Sequence, residues 1–381
     1  MKKNKETLGN DESLQVDKYD LWFGNLNKIS KQSVDHILEL GLSPEEIYKM
    51  TSVDLKEIFS EEETDRVIIS RKFWDLSGEA ETLLEKEISF SSILNANYPD
   101  VLRYYHNPPR GLYYSGSLPN PNKISIAVVG ARKCSPYGKE IATLIGKYLA
   151  RNDVQVISGL AMGIDGMAQR AAVDAGGETF GILGCGVDIC YPQSNIGLFS
   201  DIQATGGVIS EYPPGTKAQA YHFPERNRII SGLSDVVVVV EAQEKSGSLI
   251  TADFALEQGK DVVAVPGKVT DKLSFGCNYL IYQGAEVYLG LDTLKNHIER
   301  LRREKGISEK IKDYPQNKQT LLLEKKETMV YSCLSLQPKR LEELLMECHL
   351  TFAEIQGVLL DLQLKGCVKE VMKNRFVKCE V

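Results

Sequence analysis

The sequence predicts an α/β protein: a doubly wound parallel sheet set between a small helical domain and a C-terminal winged helix. Three observations carry this. Over about 170 residues, short apolar runs alternate with helical stretches, the pattern of parallel strands joined by crossover helices. One run, Val236–Val240, is valine throughout, which suits a strand buried on both faces. The last stretch, 321–381, reads as three helices followed by a hairpin.

The elements follow in chain order. Residues 1–16 are polar and aperiodic and predict a disordered tail. Residues 17–87 predict a domain of several short helices. Ser43-Pro44-Glu45-Glu46 supplies an N-cap, a first-turn proline and a glutamate three residues after the cap, and Ser60 with Glu63 repeats that spacing. From 88 to 122 the prolines Pro99, Pro108, Pro109, Pro119 and Pro121 predict extended segments and turns that wrap the next domain. Strands are predicted at Ile124–Val129, Val154–Ile157, Thr179–Leu183, Gly207–Ser210, Val236–Val240 and Asp261–Val265, with helices at 137–150, 164–175 and 249–258. That core domain spans 88–290.

Residues 291–320, rich in arginine and lysine, predict a helix end followed by a charged linker. In 321–381 a first helix covers 321–333, and a second begins near Lys339 with Leu341, Leu344 and Leu345 on its apolar face. Thr351 and Glu354 cap a third helix that carries Ile355, Val358, Leu359 and Leu362. Val368–Val371 and Phe376-Val377, joined by Lys373-Asn374-Arg375, make the wing.

Composition narrows the function. No apolar run approaches the roughly 20 residues that cross a bilayer. The basic start MKKNK has no apolar stretch behind it, so neither a membrane segment nor a secretory signal is expected, and the location expected is the cytoplasm. The eight cysteines are scattered without a C-x-x-C pair, which argues against zinc and disulfides and for small buried side chains. Net charge is −7, unevenly spread. Residues 1–90 hold 12 Lys+Arg against 20 Asp+Glu, 91–290 hold 16 against 18, and 291–381 hold 17 against 14. The core is near neutral, so binding of nucleic acid there requires a local basic patch.

In open parallel sheets, ligands bind beyond the carboxyl ends of the strands. After the first core strand comes Gly130-Ala131-Arg132, where a glycine turn, a helix start and an arginine can together hold a phosphate. After the second comes Ser158-Gly159 through Gly163-Ile164-Asp165, another glycine-rich helix start, in which Asp165 is expected to brace the loop. Gly184-Cys185-Gly186 falls short of a dinucleotide fingerprint, and no P-loop is present, so no cofactor is expected.

The run Phe223-Pro224-Glu225-Arg226-Asn227-Arg228 follows Tyr221 and His222, and phosphate clamps beside aromatic rings are how single strands are held without reading their sequence. Arginines two apart do not share a helix face, so one is expected to reach the ligand while the other pairs with a carboxylate. Lys245-Ser246-Gly247-Ser248 opens the helix after the all-valine strand and forms a further phosphate cradle. Taken singly, each loop reads as well as ordinary turn chemistry. No catalytic set emerges: the five histidines are dispersed, and no G-x-S-x-G motif or carboxylate pair stands out, so an enzyme is not expected.

Five motifs in order, Gly130-Ala-Arg132, Ser158–Asp165, Phe223–Ile230, Ser246–Thr251 and Ala264-Val-Pro-Gly267, resemble the bacterial DNA-processing protein A (DprA, also called Smf) family over roughly 88–290. The flanks are similar to that family's SAM-like and winged-helix domains. The resemblance implies a Rossmann-like core, a homodimer with its contact near Asn278–Leu289, binding and protection of incoming single-stranded DNA, and loading of the recombinase RecA during natural transformation. It carries DNA contact onto Arg132, Arg226 and Arg228. Gly130, Gly159, Gly163, Phe223, Asn227, Lys245, Ser246, Gly247 and Ser248 complete the expected site. The competing readings are a phosphoribohydrolase-like enzyme, against which Val265-Pro266-Gly267-Lys268 lacks the P-G-G-x-G-T loop, and a nucleotide sensor. A closed pocket favours the sensor and an open basic groove favours a strand.

Overall fold

Six short helices open the structure, a computed structural model that describes residues 16–308, 311–312 and 324–378. They are α1 (Lys18–Gly24), α2 (Lys31–Leu40), α3 (Pro44–Lys49), α4 (Ser52–Ile58), α5 (Glu61–Phe73) and α6 (Leu76–Glu85). The expected capping boxes form at Ser43/Glu46 and Ser60/Glu63, and Thr51/Asp54 adds a third. Glu63 also reaches across to α2, accepting hydrogen bonds from Ser30 N (2.6 Å) and Ser33 Oγ (3.0 Å). The tail expected over 1–16 lies, Val16 apart, outside the described residues.

The proline-rich stretch does more than wrap. It supplies β1 (Ser89–Ser92), α7 (Asp100–Arg103) and β2 (Gly111–Gly116). Its prolines stand outside the paired residues, where a missing N–H costs no ladder bond. The helical unit is fastened here: buried Asp20 accepts from Ser92 and from Asn95 Nδ2 (2.9 Å), and Arg110 donates to the carbonyls of Leu26 and Ile29.

The core then alternates strand and helix: β3 (Ser125–Val129), α8 (Pro136–Arg151), β4 (Gln155–Ser158), α9 (Ile164–Asp174), β5 (Thr179–Ile182), α10 (Ile196–Thr205), β6 (Gly207–Ser210), α11 (His222–Gly232), β7 (Val236–Val239), α12 (Gly247–Glu257), β8 (Asp261–Ala264), α13 (Phe275–Tyr282), β9 (Glu286–Val287) and α14 (Leu291–Lys305). The sheet order is β1-β2-β6-β5-β4-β3-β7-β8-β9. From β6 to β9 all pairs are parallel, and β2 and β1 add antiparallel at the β6 edge. The valine strand shows why it is all valine. Val237 and Val239 enter one apolar layer and Val236 and Val238 the other, and all four are fully buried.

Chain order reverses between β3 and β7, so the loops after these two strands part and leave a crevice. The linker expected from 291 starts later, because α14 packs Leu294, Ile298 and Leu301 against the sheet, and Arg302 donates to Asn152 O (2.8 Å). Apart from buried Arg302, its charged residues lie outside an apolar stripe, which disguises a core helix as a polar segment.

The C-terminal unit contains α15 (Lys325–Cys333), β10 (Lys339–Arg340), α16 (Leu341–Cys348), α17 (Phe352–Leu364), β11 (Val368–Met372) and β12 (Arg375–Lys378), with strand order β10-β12-β11. This is the winged helix expected, with Thr351 and Glu354 forming the cap of α17. Among the described residues no helix is long and apolar enough to cross a membrane.

Candidate nucleic-acid interface

The crevice at the reversal point is a cleft of about 470 Å³. Its walls come from the loop after β3, the loop after β4, the start of α11 and the start of α12. Arg132, on the first of these, is exposed, and its guanidinium lies 5.2 Å from the centre of the Phe223 ring. Among the described residues it pairs with no carboxylate.

The start of α8, one of the phosphate sites expected from sequence, is already filled. Glu241, two residues beyond β7, accepts from Ser135 N (2.9 Å) and Ser135 Oγ (2.5 Å), and Ser135 in turn caps Gly138 N (3.1 Å). A Cβ on Gly138 would stand 2.3 Å from the Glu241 carboxylate, so the glycine makes room for it. Burial raises the Glu241 carboxyl above its ordinary value, against the hydrogen bonds from Ser135. Gly130 is likewise crowded, by Ile164 and the Glu241 carbonyl.

The loop after β4 is braced from within. Asp165 Oδ2 accepts from Gly159 N (3.1 Å), as expected of a structural aspartate. Leu160 beside it sits in the left-handed region (φ 54°), held by Gln169 Oε1 (3.1 Å) and Asn195 Nδ2 (3.0 Å). A Cβ on Gly159 would lie 2.6 Å from Arg226 Nη2 and 2.7 Å from Asp165 Oδ2, so this glycine gives the buried pair its space. Gly163 has φ 78°, and a Cβ there would meet the Ala131 carbonyl at 2.2 Å. It lets the two loops touch.

The two arginines divide their work: Arg228 pairs with a carboxylate as expected of one of them, and Arg226 lines the cleft from a buried position rather than reaching out. Arg226 is 5% exposed and donates to Gly159 O (3.0 Å) and to the Ile182 carbonyl, at the floor of the cleft. Burial pushes its guanidinium down to about 10, opposed by Asp165, so it stays charged at neutral pH. Burial holds the Asp165 carboxyl above its ordinary value, opposed first by Arg226. Arg228 points away from the cleft and grips Glu211 through Nη2 at 2.7 and 2.8 Å. Asn227 Nδ2 donates to Gly247 O (3.0 Å), tying α11 to the start of α12.

That start is open. Ser246 Oγ accepts from Ser248 N (3.4 Å), no acidic residue occupies the first turn of α12, and a Cβ on Gly247 would meet nothing within 4 Å. It can receive an anion from the cleft. Lys245 is exposed beside it without lining it. Of the aromatics, Phe223 lines the cleft. His222 does not: it is buried, stacked on Tyr212 (centroids 3.9 Å) and bonded through Nδ1 to Gly184 O (3.0 Å). Tyr191, which sequence reasoning missed, stands 5.4 Å from Phe223 and is half exposed. A Tyr-Pro pair in the long loop after β5 was its only signal.

Thus Gly130, Arg132, Phe223, Arg226, Asn227, Ser246, Gly247 and Ser248 share one cleft. Gly159 borders a small annex with Arg132 and Phe223, and Gly163 lies beyond Arg132 in a neighbouring groove. Arg228 and Lys245 fall outside. Among the described residues no cluster of metal-ligating side chains occurs.

Comparison with known proteins matches residues 89–299 to the family described as DNA recombination-mediator protein A, and 315–371 to the DprA winged helix domain. The chain belongs to the DNA recombination-mediator protein A family. It is 36% identical to DNA processing protein DprA of Streptococcus pneumoniae over 282 residues, 74% of this chain and 98% of the relative. It is 43% identical to DNA processing protein DprA of Bacillus subtilis over 53% of this chain and 68% of the relative. The solved structure of the Streptococcus pneumoniae protein superposes with a TM-score of 0.61, at 35% identity over 72% of this chain and 95% of that one. DNA processing protein A from Helicobacter pylori, solved for its unique single-stranded DNA binding mode, superposes with a TM-score of 0.50, at 28% identity over 56% of this chain and 96% of that one. The family's recombination-mediator region spans the sheet and therefore the whole cleft.

Proposed function

We propose that the chain is a recombination mediator, not an enzyme, that holds single-stranded DNA in the cleft between β3 and β7. The observation that carries this is the exposed Arg132, without a carboxylate partner among the described residues, set over the Phe223 ring in the same cleft as the open start of α12. Phosphates of a strand sit against Arg132 and the Ser246–Ser248 backbone while bases stack on Phe223 and Tyr191. Lys245 adds long-range attraction from outside. Arg226 acts through the floor, presenting positive charge without touching the strand, and Arg228 serves the scaffold. The single-stranded DNA binding of the Helicobacter pylori relative supports the ligand class. Arg132 also lines a neighbouring groove, so the cleft is not walled off on that side, which disfavours the sensor and hydrolase readings.

In the cell the strand is incoming DNA during transformation, which the protein protects and passes to RecA. The family's description as a recombination mediator supports that hand-off. The protein acts as a homodimer through α13 and β9, where Tyr279 stacks between Phe275 and Tyr282, and Tyr282 and Leu289 are 85% and 84% exposed. The test is fluorescence anisotropy with labelled single- and double-stranded oligonucleotides, followed by RecA filament formation on the bound strand. Preference for single strands and faster filament growth support the proposal. Equal affinity for duplex, or blocked filament growth, contradicts it.

A further inference from the structure

We infer that the track for the strand continues past Arg132 into a second groove, where Lys133 and Lys139 take further phosphates of the same single strand. The inference rests on the reading of the first cleft given above. Arg132 lines both spaces, so it is a shared wall rather than an end.

The second groove measures about 560 Å³ and runs between the loop after β3, the first turn of α8, the start of α9 and the loop before α10. Among the described residues no acidic side chain lines it. The carboxylates around it are already engaged, two of them by Arg170, which itself lines the groove. Asp201 and Asp174 hold Arg170 at 2.6 and 3.5 Å, Glu140 pairs with Lys369 of the winged helix at 2.9 Å, and Asp165 is buried against Arg226. Lys133 and Lys139 are exposed and have no ion pair among the described residues. Three cations, Arg132, Lys133 and Lys139, therefore face one groove without neutralisation, which concentrates positive potential in a concave space.

The groove's other walls suit a flexible strand. Met162 is half exposed and Met167 lies beside it, giving adaptable apolar surface, while Ser194 and Asn195 add polar edges. The α9 start is not a ligand site: Ile164 N donates to Ala131 O (3.2 Å) and Gly166 N to Ala161 O (3.0 Å). Recognition there falls to the lysines, which grip phosphates as point charges and read no sequence.

The experiment compares oligothymidylates of about 5 and about 15 nucleotides, the shorter filling one cleft and the longer reaching both. Anisotropy is read across a salt series for the full chain, the Lys133→Ala/Lys139→Ala variant and the charge-reversed Lys133→Glu/Lys139→Glu variant. The alanine pair is expected to bind the long strand at least about 10-fold more weakly, to lower its salt slope by about 1.4, and to leave the short strand within about twofold. The glutamate pair is expected to exaggerate the same pattern. Unchanged binding of both lengths overturns the second groove and leaves the first cleft standing. Equal loss at both lengths also overturns it, since the lysines would then act as a general field. Failure of the unaltered protein to bind the short strand, or binding of it indifferent to Arg132→Ala, overturns the reading of the first cleft instead.

Discussion

The Arg132 guanidinium is held 5.2 Å from the centre of the Phe223 ring, and the same ring lies 5.4 Å from that of Tyr191. Charge and stacking surface thus meet at one point of the cleft, and the two can be separated by substitution. Phe223→Ala should weaken binding of single strands by about 1–3 kcal/mol, the worth of a stacked base, while leaving the salt slope unchanged. A fall in the slope would mean that Phe223 acts only by positioning Arg132.

Arg226 and Arg228 should behave unlike Arg132. Arg226→Ala removes the charge that offsets buried Asp165 and the donors to the Gly159 and Ile182 carbonyls, and should cost about 1–3 kcal/mol of stability, seen as a fall in Tm. Any loss of DNA binding should follow that loss of fold. Arg228→Ala frees the partly exposed Glu211 and should lower Tm less, with little change in binding measured below the melting transition. Normal stability in Arg226→Ala with binding abolished would make it a direct contact.

Gly159→Ala should be among the more damaging single-methyl additions in the core. Its Cβ would press on both Arg226 and Asp165, members of a buried pair with little room to shift. Thermal denaturation should show a loss of about 1–3 kcal/mol, and unchanged stability would mean that the floor is softer than its packing indicates.

Glu63 makes the helical unit sensitive to acid. Burial opposes its charge, but hydrogen bonds from Ser30 and Ser60 prevail and hold its carboxyl down to about 2, from an ordinary value of 4.5. A lowered value in the folded state means that the contribution is complete above about pH 4.5 and disappears as pH falls towards 2. Glu63→Gln should therefore be less stable than the unaltered protein at pH 7 by at most about 3 kcal/mol, and the gap should close between pH 4.5 and 2. A gap independent of pH in denaturant titrations would refute this.

Much of this was legible in the sequence, for identifiable reasons. The valine run, the glycines after each strand and the Thr351/Glu354 cap carry local signals that tertiary context reinforced. β1 and β2 were hidden because Phe90–Ser92 and Gly111–Tyr114 are short and flanked by prolines that also mark turns. The site was legible as a set of loops but not as a division of labour. Spacing told that Arg226 and Arg228 face apart, yet burial alone decides that neither reaches into solvent. Glu241 closing the start of α8, 106 residues away from Ser135, is likewise a product of the reversal in strand order. Tyr191 joins Phe223 only once β5 lies beside β4.

The most direct test of the central claim is the salt dependence of single-strand binding by Arg132→Ala, with Tm measured on the same samples. The account predicts an unchanged Tm, at least about 10-fold weaker binding and a salt slope reduced by about 0.7, one phosphate contact on a single strand. Binding and slope equal to those of the unaltered protein, at equal Tm, would place the strand somewhere other than the cleft between β3 and β7.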